Sequence, residues 1–231
     1  MKTLTERINA IRARISELEQ QYGRDPGSVM LLAVSKTRPV AEIRAAMQTG
    51  QRDFGENYLQ DALPKIAALS DQGLCWHFIG PIQSNKTRDI AAHFDWVHSV
   101  DRLKVAQRLN DHRPAGTPPL NICLQVNISH DPNKSGVMPA DALALAKQLV
   151  EFPALRLRGL MTIPVHTETL AEQRAIFRAL HELAETIRQA GIAMDTLSMG
   201  MTEDMEAAIA EGATMVRIGT AIFGSRSAHN E

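Results

Sequence analysis

Val29-Met30-Leu31-Leu32-Ala33-Val34-Ser35-Lys36-Thr37-Arg38-Pro39 begins as a short apolar, β-rich run and ends on a proline that suits a first helical turn. It reads as a strand feeding a helix. The same alternation recurs along the chain, with strands expected at 29–35, 52–55, 75–79, 95–98, 120–127, 156–162, 196–198 and 214–218. Between them lie helical spacings such as Ala142, Leu145, Leu149 and Ile176, Leu180, Leu183, Ile187, with Pro139 again at a first turn. Upstream, Leu4, Ile8, Ile11, Ile15 and Leu18 form one apolar stripe, so 1–23 is expected to be a docking helix. Strands separated by helices imply parallel pairing, and eight units of about 29 residues match a closed (β/α)₈ TIM-type barrel of the α/β class. An open doubly wound sheet is the alternative, because the second, fourth and seventh strands are short. No linker or repeat divides the chain, 114–119 reads as a loop, and a single domain over 1–231 is expected.

The chain has 231 residues, 44% hydrophobic and 22% charged, which supports a sizeable core and excludes disorder. Twenty-five basic against 26 acidic side chains leave a net charge of −1. No overall basic field exists to attract nucleic acid or anionic lipid. Cys75 and Cys123 lack Cys-x-x-Cys spacing, which suits reduced thiols in a cytosolic setting, and neither thiol reads as catalytic. Charges run through 1–24, and no apolar run approaches the roughly 18 residues of a membrane span, so a cytoplasmic protein is expected. Asn127-Ile128-Ser129 is then a chance sequon. The apolar helix stripes are accounted for by barrel packing, so a monomer is expected.

A barrel carries its chemistry on the loops after its strands. The first strand runs into Lys36, where burial can lower the amine's pKa and make it nucleophilic; the alternative is a lysine snorkelling to water. After the seventh and eighth strands, where barrels commonly hold phosphate, Ser198, Gly200, Gly219 and Thr220 form a candidate cradle. Ordinary turn chemistry is the competing account, with Thr202 capping the next helix. Glu203 and Asp204 would repel an anion unless turned outward. Arg217 shares a strand face with Gly219, the expected barrel interior, where its guanidinium needs a partner: Glu56 in an ion pair, or an acceptor on a ligand. Asn57 is either a helix cap or a site residue.

Other signals are weaker. The eight histidines include no pair at metal-ligand spacing, His181-Glu182 lacks a second histidine, and no metal is expected. His77 reads as a packed strand residue. Neither GxGxxG after a strand nor GxxxxGK[ST] occurs, which removes the main support for dinucleotide or nucleoside triphosphate binding. Lys134 is a second loop amine at the same end, solvated by default.

A lysine ending the first strand, a phosphate site at the seventh and eighth, and Arg-x-Gly on the eighth resemble the pyridoxal phosphate barrel of the alanine racemase type. The stretches AVSKT (33–37), FGENYLQD (54–61), HFIGPIQSNK (77–86), LSMGMTEDMEAAI (197–209) and VRIGTAIFG (216–224) resemble, more closely, the pyridoxal phosphate homeostasis protein family. That resemblance spans nearly the whole chain. It implies a single barrel holding pyridoxal 5'-phosphate as a Schiff base on Lys36, with phosphate contacts from Ser198, Met199, Gly200, Gly219 and Thr220. It also implies Arg217 facing the pyridine nitrogen, Asn57 near the ring, and cofactor binding and regulation without an established reaction.

Physical chemistry supports binding over turnover. A guanidinium donates to the pyridine nitrogen but cannot stabilise a protonated one, so the ring is a poorer electron sink. Racemases of similar type add a second base from a further domain of a partner chain, and the sequence ends just after its eighth strand, so the barrel alone is expected. The first expectation is therefore a carrier or regulator in vitamin B6 homeostasis, with transient contacts to apoenzymes and Lys134 as a helper in exchange. The alternative is a minimal amino-acid racemase or a Schiff-base lyase, both needing Lys36. A pure scaffold leaves the polar groups at one rim unexplained.

Overall fold

In the computed structural model, which describes residues 2–224, eight parallel strands close into a barrel in chain order. They are β1 (Met30–Val34), β2 (Asp53–Glu56), β3 (Cys75–Phe78), β4 (Trp96–Val100), β5 (Leu120–Gln125), β6 (Leu155–Met161), β7 (Thr196–Ser198) and β8 (Met215–Ile218). The ring is completed by β1 pairing β8, with Leu32 opposite Arg217. The helices are α1 (Leu4–Gln21), α2 (Val40–Met47), α3 (Leu59–Ala68), α4 (Thr87–His93), α5 (Leu103–His112), α6 (Pro139–Leu149), α7 (Leu170–Gln189), α8 (Met205–Ala210) and the short α9 (Thr220–Phe223). The closed barrel replaces the open-sheet alternative. Both limits of the expected domain, 1 and 231, lie outside the described residues.

Two features differ from the sequence expectation. Thr37 to Pro39 do not enter a helix at once: Pro39 flanks α2 in extended backbone rather than opening it. There are also nine α-helices among the described residues, not eight, because a four-residue turn of helix follows β8. The place of an eighth outer helix is taken instead by α1. It starts with a reciprocal cap, Thr3 Oγ1 accepting from the Glu6 amide while the Glu6 carboxylate accepts from the Thr3 amide. It then buries Ile8, Ile15 and Leu18 and packs against α2, α8 and α9, over the β1–β8 seam. Arg7 Nε donates to the Ile222 carbonyl, joining the first helix to the last.

The main core lies between barrel and helices, fed by outward residues such as Ala33, Phe54, Phe78, Val97, Ile122 and Leu160. The barrel interior is different. It holds two small apolar groups, Leu32, Val34, Ile79 and Met215, and Trp96, Cys123 and Met161. Buried polar side chains also point into it, and they position the site. None of the described helices is long and apolar enough to cross a membrane.

Candidate functional site

Lys36 stands on the turn after β1, half-buried. The turn is held from both sides. Ser35 N donates to Gly55 O at 2.9 Å, and Lys65 Nζ of α3 donates to Ser35 O at 2.9 Å. Thr37 has φ +63°, a left-handed conformation that a β-branched residue adopts only under constraint. The constraint is visible: Thr37 N donates to Asp61 Oδ2 at 2.7 Å, and Asp61 in turn meets Lys65 Nζ at 2.7 Å.

Lys65 is itself 4% exposed and also bonds Glu56 Oε1 at 2.9 Å, an oxygen that accepts from Ser35 Oγ at 2.6 Å. Burial raises the Glu56 carboxyl above its ordinary range, against the attraction of Lys65 and the Ser35 hydrogen bond. This corrects one sequence expectation. Glu56 does not pair with Arg217, because Gly55 points into the barrel, where a Cβ would meet Ile79 and Leu32, and the next residue therefore faces α3.

Arg217 does point inward, 4% exposed. Nη1 donates to Ser198 O at 2.6 Å and Ser198 Oγ at 2.9 Å, and Nη2 donates to Thr162 O at 2.8 Å. Among the described residues no carboxylate pairs with it. Desolvation pushes the guanidinium down to about 10, partly offset by Asp204. A buried cation with only neutral acceptors is a strong field at the barrel centre.

Ser198 lies on β7 and is fully buried. Its hydroxyl is sunk in the interior between Arg217 and His98 Nδ1, the latter at 2.8 Å, rather than standing on the rim. Met199 is likewise buried, in the main core, so the rim can use only its backbone. Gly200 has φ +95°, and a Cβ there would lie 2.5 Å from Ala208 Cβ, so the chain passes too close to α8 for any other residue. Gly219 and exposed Thr220 begin α9, whose first amides lack intrahelical acceptors. Thr202 is not the cap of α8: Asp204 flanks that helix without a side-chain cap bond, and its Oδ1 accepts from Met201 N at 2.5 Å. Glu203 lies beside His166 at 3.6 Å and, with Asp204, lines the larger of the two cavities at this end, so both negative charges stay at the rim.

Asn57 does not cap α3, whose flanking residue is Tyr58 without a side-chain cap bond. Its Oδ1 is buried and has no hydrogen-bond partner among the described residues. The backbone of Asn57 is fixed by Gly80, where a Cβ would come within 2.1 Å of the Asn57 carbonyl oxygen. Two cavities open at this end. One of about 230 Å³ is lined by Asn57, Ile79, Gln125 and Lys134; the other, about 490 Å³, by Lys134, His166, Met201, Thr202 and Thr220. Lys36 lines neither. Lys134 lines both and is half-buried, on a loop braced by Asn127 Nδ2 donating to Asp131 O at 2.7 Å and Lys134 O at 3.3 Å.

The interior histidines were not legible as site residues. His77 is packed in its strand as expected, but its ring also bonds His98, Nδ1 to Nε2 at 3.0 Å, and stacks on Trp96 at 5.4 Å. The available signal was inward parity: His77 and His98 are inward residues of adjacent strands. Burial, then the charges of His77 and Arg217, hold His98 well below its ordinary 6.5. A neutral buried histidine must resist protonation that the unfolded chain accepts, so its penalty is absent above about pH 6.5 and grows as pH falls. We expect stability to urea to fall by up to about 1.4 kcal/mol per pH unit below 6.5, and His98→Phe to flatten that slope. Burial also holds both thiols protonated, Cys75 raised further by Asp53 and Asp95, and Cys123 pushed up to about 12.

This barrel, with its lysine turn after β1 and its buried arginine on β8, is of the alanine racemase N-terminal class, whose family model matches residues 7–227. The curated pyridoxal phosphate homeostasis protein of Pseudomonas aeruginosa is 61% identical over 226 residues, covering 98% of this chain and 97% of that one. The protein of the same name in Haemophilus influenzae is 51% identical, covering 95% and 94%. Among solved structures, PipY of Synechococcus elongatus with PLP bound is 40% identical with a TM-score of 0.84, covering 96% of this chain and all of that one. The chain belongs to the pyridoxal phosphate homeostasis protein family.

Proposed function

We propose that this chain binds pyridoxal 5'-phosphate at the barrel mouth and serves in homeostasis of the cofactor as a carrier or regulator, with Lys36 as its point of attachment. The observation that carries this is Arg217: a guanidinium enclosed at the barrel centre with no carboxylate partner among the described residues calls for an acceptor on a ligand. The unpartnered Asn57 Oδ1 under the same mouth is a second group awaiting a partner. Relatives bearing the homeostasis name and the PLP-bound PipY support the same ligand.

When bound, pyridoxal phosphate supplies an aldehyde that condenses with amines and a ring that withdraws electrons. Lys36 offers the amine on a turn fixed by Lys65 and Asp61. Gly200, Gly219 and Thr220, with the backbone of Met199 and Ser198, would hold the phosphate. Asn57 would contact the ring, and Arg217 would donate to its nitrogen. A donor that stays protonated leaves that nitrogen unprotonated, which weakens the electron sink and favours holding the cofactor over turning substrate. Lys134, between two cavities, is placed to help exchange.

The test is to add pyridoxal phosphate to the purified chain, record the visible spectrum, reduce with borohydride and map the modified peptide by mass spectrometry. A visible band and a reduced adduct on Lys36 are expected. A colourless protein, an adduct elsewhere, or enzyme-like racemase turnover would sink the proposal.

A further inference from the structure

Beyond the mouth, a file of polar groups crosses the barrel, its three middle members fully buried. Asp53 on β2, with its side chain 25% exposed at the barrel floor, places Oδ1 3.1 Å from His77 Nε2. His77 Nδ1 lies 3.0 Å from His98 Nε2, His98 Nδ1 lies 2.8 Å from Ser198 Oγ, and Ser198 Oγ lies 2.9 Å from Arg217 Nη1. His77, His98 and Ser198 are each 0% exposed. Four strands besides β8 therefore contribute to one continuous connection from floor to mouth.

We propose that Asp53, His77, His98 and Ser198 form a one-way hydrogen-bond relay that positions Arg217 as a donor toward the bound cofactor, an inference that rests on the binding reading above.

The chemistry of the two ends sets the direction. A guanidinium can only donate, so Ser198 Oγ accepts from Arg217 and has its own hydrogen to give to His98 Nδ1. An ionised carboxylate can only accept, so His77 gives Asp53 the proton on Nε2. The proposed relay carries one proton on each imidazole, and the remaining hydrogen bond then has one arrangement: His98 Nε2–H donates to His77 Nδ1. Every group then donates toward the floor, and the lone pair of Ser198 stays aimed at Arg217. Cys75 Sγ, 3.3 Å from the same His77 nitrogen, is a weak acceptor that cannot replace the carboxylate. Without Asp53 both histidines can take the other tautomer, His98 donates from Nδ1 to Ser198, and the serine hydrogen must leave the file. Ser198 Oγ then serves two donors, His98 and Arg217, with no acceptor in the file for its own hydrogen, so its hold on Arg217 weakens although nothing Arg217 touches has been removed.

The test uses the full-length chain labelled with ¹⁵N, whose histidine tautomers are read by long-range proton–nitrogen spectra, with pyridoxal phosphate affinity measured alongside. Wild type is expected to carry the proton on Nε2 of both His77 and His98. In Asp53→Leu, mixed His98 tautomers and an affinity loss of up to about tenfold are expected, the scale of one weakened hydrogen bond to a charged group. Asp53→Asn, whose amide oxygen still accepts, should restore both. The proposal is overturned by a wild-type His98 protonated on Nδ1, a result that needs no variant to fold, or by Asp53→Leu with unchanged tautomers and affinity. A wild-type chain that takes up no pyridoxal phosphate overturns the positioning role by removing the reading beneath it, while Nε2 protons in the same sample would show that the file itself is as described.

Discussion

Lys36→Ala yields a folded barrel that takes no covalent label from pyridoxal phosphate and borohydride. The variant should lose the whole covalent signal, because the attachment needs this amine at this turn, and Lys65, the nearest alternative along the network, is committed to Ser35, Glu56 and Asp61. Stability should change by less than about 1 kcal/mol, since Lys36 is half-buried and outside the apolar core. Urea unfolding and mass spectrometry of the reduced protein measure the two halves separately. A full-strength label on the variant would move the attachment to another lysine and refute the assignment.

The second large effect belongs to a residue that never meets the ligand in this reading. Lys65→Met removes the cation that pairs both Asp61 and the 0%-exposed Glu56, whose Oε2 already lacks a partner among the described residues. Breaking a buried pair from one side costs about 3–5 kcal/mol, a large share of the roughly 5–15 kcal/mol that stabilises a domain. Protonation of Glu56, already made easier by burial, limits the loss. Two measurements separate pairing from packing. Lys65→Met should unfold at much lower urea than wild type, and the double variant Lys65→Met/Glu56→Met should recover most of the difference, because removing both partners is far cheaper than orphaning one. If the double variant is no better than the single one, the ion pair is not the cause. In the folded fraction of Lys65→Met the constraint on Thr37 is weakened, so Lys36 labelling should slow.

The strand count, the barrel and the rim lysine were legible because each is local: apolar runs of strand length, prolines near helix starts, and a charge at a strand end. The site was legible only in outline. For Glu56, parity decides everything, and the second strand, expected at 52–55, runs Asp53–Glu56 and turns that side chain outward to α3. Ser198 was placed correctly at the end of its strand, but a three-residue strand gives no sign that its hydroxyl points down to His98 rather than up to the rim. Lys65 hides on a helix that contains Pro64, where a lysine reads as solvated surface. The Asp53–His77–His98 file joins residues that are far apart in sequence and meet only when the barrel closes, and no periodicity records such a meeting.

The helix that covers the β1–β8 seam is the earliest one in the chain, yet its neighbours α8 and α9 are among the last. During synthesis Ile8, Ile15 and Leu18 emerge long before the surface that buries them, so this apolar stripe stays exposed, or borrows a temporary cover, until the eighth strand arrives. Cyclic permutation offers a way to see this: a chain recut in the loop between α1 and β1, with α1 joined behind α9, would meet its partners in order and should close its ring faster than the natural order does.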